Sequence, residues 1–220
     1  EEPTYRRALR QELKLKPVRS QFRAPHFCDF LLQQCGMEEK TSGRDIKTTL
    51  DLEIQNHIQH LVREHIGSLE QRNITQGAAI VIDNARGEII CMVGSRDFFD
   101  SRHQGQVNGA VSLRQPGSTL KPFTYGLALE QGMNAADVLF DGPVEYATPT
   151  GPYQPVNYDH KFHGPVRLRQ ALACSYNIPA VQLTERLGTE RLYLRLKQAG
   201  FANLVRSPSY YGVGLTLGNG

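Results

Sequence analysis

The stretch that decides the fold is RQPGSTLKPF, at residues 114–123. Its Pro-Gly pair interrupts the preceding structure, and an apolar run with helical character begins at Leu120. Positions three apart lie one above the other on the same face of a helix. The spacing therefore predicts that the hydroxyl of Ser118 and the amine of Lys121 lie close together at the start of a helix.

The Ser118–Lys121 pair suits nucleophilic catalysis. A serine hydroxyl is a weak nucleophile until a base takes its proton. Lysine serves as that base when burial lowers its pKa, and the free N–H groups at a helix start favour negative charge on the attacking oxygen. We interpret Ser118 as a nucleophile for acyl transfer and Lys121 as its base. The same two residues also fit a helix cap followed by an exposed lysine, so the flanking sequence has to decide.

The composition is that of an ordinary globular protein. The 220 residues are 40% apolar and 21% charged, with a net charge of +3. So mild a charge does not favour nucleic-acid binding, which usually needs a clustered basic face. No apolar run has the length of a membrane span, and no signal peptide opens the sequence. Because Glu1 is not an initiator methionine, we expect an excised piece, with any membrane anchor outside it.

Side chains that commonly bind metals are scattered along the sequence. The four cysteines show no Cys-x-x-Cys spacing, and the sequence does not decide whether Cys28 and Cys35 form a disulfide. Three histidines fall on a helix predicted after Asp51, but His65 projects over its apolar stripe and the other two project toward its polar side. We therefore expect no metal site and no cofactor.

Hydrophobic periodicity predicts the other elements. Residues 1–20 are basic and predict a solvated linker helix, and a long amphipathic helix follows Asp51. Apolar runs at 77–83 and 88–93 predict a hairpin whose strands are both buried in a sheet. Residues 133–165 carry several Gly and Pro and predict a long ordered loop. The buried stripe predicted for the amphipathic helix is Leu50, Ile54, Ile58, Leu61, Val62 and Leu69.

A second polar group lies between two predicted helices. Ser175 and Asn177 follow a short helix at 166–173 and precede a helix with Pro179 in its first turn. A loop fixed at both ends holds its polar groups at a defined place. Both residues are also ordinary helix caps, and taken alone they fit that interpretation better.

A Ser-His-Asp triad is an alternative site for the same nucleophile. Asp159, His160 and His163 lie in a polar and aromatic stretch and could supply the histidine and the carboxylate for Ser118. We disfavour this arrangement because Lys121 already occupies the position of a base, one turn from the serine.

These motifs resemble the transpeptidase domain of bifunctional, class A penicillin-binding proteins. The family signature is Ser-x-x-Lys, followed by Ser-x-Asn and then Lys-Thr-Gly. The first two are matched by STLK at 118–121 and SYN at 175–177. The longer contexts, RQPGS at 114–118 and GPVRLRQALA at 164–173, are more specific than the motifs themselves.

The resemblance extends over roughly residues 24–220. APHF at 24–27 and TTLD at 48–51 are similar to the class A linker and to the start of its transpeptidase domain. NYD at 157–159, followed by FHGPV at 162–166, is most similar to the penicillin-binding protein 1C subgroup.

The resemblance implies an α+β fold of the penicillin-binding protein and β-lactamase type. That fold has an antiparallel sheet flanked by helices, a helical subdomain, and the site in the cleft between them. Residues 1–45 would be a linker from an upstream glycosyltransferase domain, and residues 46–220 the N-terminal part of the transpeptidase domain. No Lys-Thr-Gly or Lys-Ser-Gly follows Asn177. We therefore expect the C-terminal strands, with the third motif, to lie outside this sequence, and residues 1–220 alone to acylate poorly.

The activity implied by the resemblance is that of a peptidoglycan D,D-transpeptidase. In the family, the serine attacks the carbonyl between two terminal D-alanines of a stem peptide and D-alanine leaves. An amine from a neighbouring strand then resolves the acyl-enzyme to form a cross-link. By motif position Ser118 is the nucleophile and Lys121 the acylation base. Ser175 would relay a proton to the leaving group, and Asn177 would bind the substrate amide and orient Lys121.

The resemblance also implies partners and a location. The partners would be peptidoglycan stem peptides, β-lactam antibiotics, the rest of the same domain and the upstream glycosyltransferase domain, but not nucleic acid. The location would be the extracytoplasmic face of the bacterial inner membrane, the periplasm, with membrane attachment only through an N-terminal anchor outside this sequence.

Two rival functions come from other classes. A β-lactamase would need a carboxylate that drives deacylation, and the acidic residues after the second motif, Glu185 and Glu190, fit the exposed surface of a helix. A non-catalytic sensor or scaffold would bind peptidoglycan or a partner without turnover. Turnover of a chromogenic cephalosporin would favour the first rival, and failure of a fluorescent penicillin to label the protein would favour the second.

Overall fold

The computed structural model describes residues 22–36, 45–148 and 151–219, so the linker helix predicted over residues 1–20 lies outside the described residues. The chain divides into two compact units, Glu1–Leu113 and Arg114–Gly220. The proposed boundary between residues 45 and 46 stays a prediction. Within the described ranges, no helix is long and apolar enough to cross a membrane.

The first unit is built on two helices and one hairpin. Asp51 begins the long helix because its carboxylate accepts hydrogen bonds from the N–H groups of Glu53 and Ile54, at 2.9 and 3.0 Å. The hairpin is antiparallel, as predicted, with its turn at residues 84–87. The elements of this unit are α1 (Pro25–Gln34), α2 (Leu52–Ser68), a 3₁₀ turn (Glu70–Arg72), β1 (Ala79–Asp83) and β2 (Glu88–Val93).

The buried face of α2 differs from the predicted stripe. Leu61 was predicted to be buried and is 48% exposed, whereas Gln55 is 1% exposed. The carboxamide of Gln55 accepts from the N–H of Met92 at 2.9 Å and donates to its C=O at 3.1 Å. Gln55 therefore pairs with β2 as a neighbouring strand would, an interaction that an apolar stripe cannot reveal.

The hairpin is only half buried. Ile80 and Ile82 are exposed, so the prediction that both strands are buried is wrong for β1. The reason is that β1 and β2 form a two-stranded sheet within the described residues, and β2 is the strand that packs against α1 and α2.

The second unit contains five helices and four short strands in its described part. Two of these helices, which begin at Lys121 and Asn177, pack against one another. Its elements are a 3₁₀ turn (Gly117–Leu120), α3 (Lys121–Glu130), β3 (Val138–Asp141), β4 (Tyr146–Thr148), β5 (Gly151–Tyr153), β6 (Gly164–Arg167), α4 (Leu168–Ala173), α5 (Asn177–Leu187), α6 (Thr189–Gln198), α7 (Pro208–Tyr211) and a second 3₁₀ turn (Gly212–Leu217).

One apolar core holds the second unit together. It joins α3, α5, α6 and the second 3₁₀ turn, and its fully buried members include Leu120, Ala128, Leu183, Leu196 and Leu215. Burial of each of these leucine side chains contributes roughly 1.5–3 kcal/mol to stability. The core therefore holds α3 and α5 against one another.

The prediction of a long loop over residues 133–165 is wrong. This segment contains β3, β4, β5 and the beginning of β6, in two antiparallel pairs, β3 with β6 and β4 with β5. The strands are three or four residues long and include Gly and Pro, which have low strand propensity. β3 pairs with a strand distant in sequence, with Phe140 opposite Pro165, whereas β4 and β5 form a local hairpin whose strands are too short to show a period of two. The predicted α+β class is confirmed, with three two-stranded sheets in the described residues.

Candidate active site

The first site residue, Ser118, lies in the 3₁₀ turn directly before α3. Gly117 enters this turn with φ +59°, a conformation that glycine adopts without strain. The C=O of Ser118 accepts a hydrogen bond from the N–H of Lys121. The side chain of Ser118 is exposed, and within the described ranges its hydroxyl makes no hydrogen bond. A nucleophile at this position is open to an incoming substrate.

Lys121, in contrast, is 1% exposed. Its amine donates to the C=O of Ser175 at 2.5 Å, to the hydroxyl of Ser175 at 3.1 Å and to Oδ1 of Asn177 at 2.6 Å. Burial lowers the pKa of Lys121 from 10.5 to about 8, because desolvation disfavours the ammonium. Among the described residues no carboxylate lies within 4.0 Å of the amine to oppose that shift.

The sequence predicts that the hydroxyl of Ser118 and the amine of Lys121 lie close together, but no hydrogen bond joins these two groups in the described structure. The amine turns toward Ser175 and Asn177 instead. Catalytic hydrogen bonds are often long in enzymes without substrate and tighten only when substrate binds, so the role of Lys121 as the base stays a prediction.

Ser175 and Asn177 both accept hydrogen bonds from the amine of Lys121. Ser175 has a left-handed backbone, with φ +54°, which is uncommon for a residue other than glycine. Asn177 is the first residue of α5 rather than a loop residue as predicted, and its Nδ2 donates to the C=O of Val156 at 2.7 Å. The second sequence motif therefore converges with the first on the amine of Lys121.

Two buried polar residues behind Asn177 were not predicted as part of the site. Asn157 is 2% exposed and accepts a hydrogen bond from the N–H of Asn177 at 2.8 Å. Its Nδ2 donates to both carboxylate oxygens of Asp141, at 2.9 and 2.8 Å. The sequence carried no signal for them, because in the sequence Asn177 was itself an ordinary cap of the following helix, whereas in the structure the cap position falls on Tyr176.

The structure does not assemble the alternative triad. His163 Nδ1 lies 2.6 Å from Asp141 and its Nε2 lies 3.1 Å from Asp159. Both ring nitrogens are therefore paired with carboxylates, and neither is left to bind a serine hydroxyl. The ring stacks on Tyr176 with centroids 4.1 Å apart. Among the described residues neither His163 nor His160 is hydrogen-bonded to Ser118.

Metal-binding side chains remain dispersed in the structure. His57, His60 and His65 are all exposed on α2. Across residues 22–36, 45–148 and 151–219, no group of three or more His, Cys, Asp or Glu residues is placed to hold a metal ion. The chemistry available at the site is therefore that of an exposed hydroxyl, a buried amine and the amide and hydroxyl that hold this amine.

The match to a family model decides the assignment. The model of the penicillin-binding protein transpeptidase domain matches residues 77–211, more than half of the chain. The chain belongs to the penicillin-binding protein transpeptidase family. This confirms the family predicted from the motifs around Ser118 and Asn177.

Three similar proteins are all penicillin-binding proteins. The chain is 37% identical over 180 residues to penicillin-binding protein 1C of Escherichia coli K12, covering 81% of this chain and 23% of that protein. It is 38% identical over 143 residues to penicillin-binding protein 1A of Aquifex aeolicus, covering 64% of this chain and 19% of that protein. The crystal structure of penicillin-binding protein 1A from Haemophilus influenzae superposes with a TM-score of 0.72 at 22% identity, covering 100% of this chain and 47% of that chain.

These similarities confirm the predicted fold type. The chain spans less than a quarter of the length of the two curated relatives and about half of the solved chain.

Proposed function

We propose that this protein is a peptidoglycan D,D-transpeptidase that works through an acyl-enzyme at Ser118. The observation that carries the proposal is the state of Lys121. Its amine is buried, is held by Ser175 and Asn177, and has a pKa lowered to about 8 by burial. A lysine with these properties can accept a proton near neutral pH, which an ordinary surface lysine cannot do.

Acylation begins with a proton transfer. The neutral amine of Lys121 takes the proton of Ser118, and the serine oxygen bonds to the carbonyl carbon between the two terminal D-alanines. The backbone N–H of Ser118, in the 3₁₀ turn before α3, would stabilise the negative charge that develops on the carbonyl oxygen. The carbon–nitrogen bond then breaks, and D-alanine leaves with a proton that passes from Lys121 through Ser175. An ester to Ser118 remains.

Deacylation restores the serine. The amine of a neighbouring peptide attacks the ester, an amide cross-link forms, and the serine oxygen leaves and takes back its proton. The hydroxyl of Ser175 lies 3.1 Å from the amine of Lys121, which suits it to relay a proton in both halves of the reaction.

Asn177 has two roles in this proposal. Its Oδ1 accepts a hydrogen bond from the amine of Lys121 and thereby orients this amine. Its Nδ2 donates one of its two hydrogens to the C=O of Val156, which leaves the other hydrogen for the C=O of a substrate amide.

Partners and location follow from the same proposal. Stem peptides that end in D-Ala-D-Ala would be the substrates, and β-lactams would acylate Ser118 as mimics of them. The complete protein would act at the extracytoplasmic face of the inner membrane, with a glycosyltransferase domain upstream of the linker proposed over residues 1–45.

The structure offers no feature that favours the hydrolase among the described residues. Glu185 lies on α5 beside Tyr146, and burial together with this carboxylate raises the pKa of Tyr146 to about 12. Glu190 lies exposed in the first turn of α6. Neither glutamate is hydrogen-bonded to Lys121, Ser175 or Asn177 in the described structure.

The test is a donor–acceptor assay on the complete protein. A peptide ending in D-Ala-D-Ala is mixed with an amine acceptor, and D-alanine release and the cross-linked product are measured. Ser118→Ala should abolish both, whereas Ser209→Ala, which removes an exposed hydroxyl of the same unit, should leave both unchanged. Release of D-alanine by Ser118→Ala at the wild-type rate would overturn the proposal. Rapid turnover of a chromogenic cephalosporin would favour a hydrolase.

A further inference from the structure

The carboxamide of Asn157 is fully engaged inside the second unit. Its Oδ1 accepts from the N–H of Asn177 at 2.8 Å and lies 3.5 Å from the N–H of Ile178. Its Nδ2 donates to Asp141 and also to the C=O of Lys161, at 2.8 Å. A buried side chain that satisfies all of its polar atoms in this way has one orientation available to it.

Asn157 acts as the helix cap of α5. The first N–H groups of a helix lack partners within the helix and are usually satisfied by the residue immediately before it. Tyr176 occupies that position and contributes no capping hydrogen bond to the described residues around it. Asn157 supplies the acceptor instead, from 20 positions upstream. The C=O of the adjacent Val156 holds the side chain of Asn177, so both the backbone and the side chain of that residue are fixed from one loop.

Asp141 in turn fixes Asn157. Its side chain is 0% exposed, and it accepts hydrogen bonds from Asn157 and from the backbone N–H of His163 at 3.0 Å. Nδ1 of His163 lies 2.6 Å from the same carboxylate, and the His163 ring stacks on Tyr176. Rotation of Asn157 would leave a buried carboxylate short of donors, which is costly.

We propose that Asn157 is a positioning residue for acylation, which holds the first turn of α5 and thereby keeps Oδ1 of Asn177 on the amine of Lys121. The inference rests on the proposed function, since it assigns a role in the step that Lys121 carries out. Asn157 itself contacts neither the amine nor the serine in this structure. Its effect is on geometry, and a misplacement of about 1 Å in reacting groups lowers a rate by roughly 100-fold.

The test separates binding from acylation. Acylation of the complete protein by a fluorescent penicillin is followed by stopped flow over a range of concentrations, which yields a dissociation constant and a first-order acylation rate constant. For Asn157→Leu, which keeps the volume but removes the hydrogen bonds, we expect the rate constant to fall by roughly 10–100-fold. The dissociation constant should change by less than about threefold, because Asn157 does not line the surface that a ligand meets.

Asn134→Ala is the matched control. Asn134 is another asparagine of the second unit, and its side chain holds a turn through Asp137 at 2.6 Å and the N–H of Ala136 at 2.8 Å. Its loss should lower the melting temperature without changing the acylation rate constant. If Asn134→Ala slows acylation as much as Asn157→Leu does, general loosening explains both and the proposal fails.

If Asn157→Leu does not fold, the milder substitution Asp141→Asn replaces it in the test. Asp141→Asn keeps the shape of the side chain but places an amide against the donors of Asn157 and His163, so it should slow acylation several-fold. A folded Asn157→Leu, or failing that Asp141→Asn, that acylates within about twofold of wild type would overturn the inference while leaving Ser118 as the nucleophile. Absence of acylation in the wild-type protein would instead contradict the proposed function.

Discussion

The amine of Lys121 lies 2.6 Å from Oδ1 of Asn177, although 56 positions separate the two residues in the sequence. A carboxamide oxygen accepts a hydrogen bond from a neutral amine as well as from an ammonium. The contact therefore survives when Lys121 gains or loses its proton. This is the property required of a base that has to cycle between the two forms without leaving its place.

Replacement of Lys121 by arginine separates positive charge from basicity. Arginine stays protonated at any pH a protein tolerates, so Lys121→Arg should lower the rate constant of acylation by about 10²–10⁴-fold. Stopped-flow labelling with a fluorescent penicillin measures it. Lys197→Arg is the control, because Lys197 is exposed and its amine donates only to a backbone carbonyl, that of Ala202, among the described residues. Near-normal acylation by the Lys121 variant would mean that another group is the base.

The pH dependence of acylation follows from the lowered pKa of Lys121. At a pKa of about 8 the ammonium dominates at pH 6–7, and the reactive neutral amine increases as pH rises. The acylation rate constant should therefore rise by about tenfold per pH unit below 8 and level off above it. A rate constant that is flat between pH 6 and 9, or one that falls as pH rises, is the contrary result.

Gly218 should be required for the position of the Ser118 turn. Gly218 has φ +78°, and a Cβ added to it would overlap the backbone of Gly117, the residue before Ser118. Gly218→Ala should therefore destabilise the protein and slow acylation. Gly200→Ala is the control, since Gly200 has φ +95° with no atom within 4 Å of an added Cβ in the described structure. Both variants carry about 1–2 kcal/mol of backbone strain, and the additional loss in Gly218→Ala measures the contact.

The sequence predicted those parts of the fold and site that depend on local spacing. The hairpin of β1 and β2 was found from two apolar runs and a turn, and the long helix after Asp51 from its hydrophobic periodicity. The placement of Ser118 and Lys121 one turn apart at the start of a helix also follows from their spacing, but the turn of the amine toward Ser175 and Asn177 does not. That Ser175 and Asn177 approach Lys121 came only from the resemblance, since local spacing left them as ordinary caps.

The parts that were missed are short strands and single buried polar residues. The strands between residues 133 and 165 are too short and too rich in Gly and Pro to show a period of two. Asp141 and Asn157 are single polar residues in such a segment, and a buried polar residue looks like an exposed one in sequence. Only their partners, the start of α5 and His163, reveal them.

Gln55 should contribute strongly to the stability of the first unit. It satisfies both the N–H and the C=O of Met92, and Gln55→Leu would leave two buried backbone groups unpaired. Each such group costs roughly 1–3 kcal/mol, so the free energy of unfolding should fall by about 2–6 kcal/mol. Gln59→Leu, one turn further along α2, removes a glutamine whose side chain has no hydrogen bond within the described ranges and should change stability little. Equal effects of the two variants in urea unfolding would contradict this role.

Ser118 is the proposed nucleophile, and a mass measurement tests this role most directly. The complete protein is treated with penicillin, its intact mass is determined, and the adduct is mapped by proteolysis. We predict one adduct per molecule, on the peptide that contains Ser118, and none in Ser118→Ala. An adduct on another residue, or one that persists in Ser118→Ala, would contradict the assignment of the site.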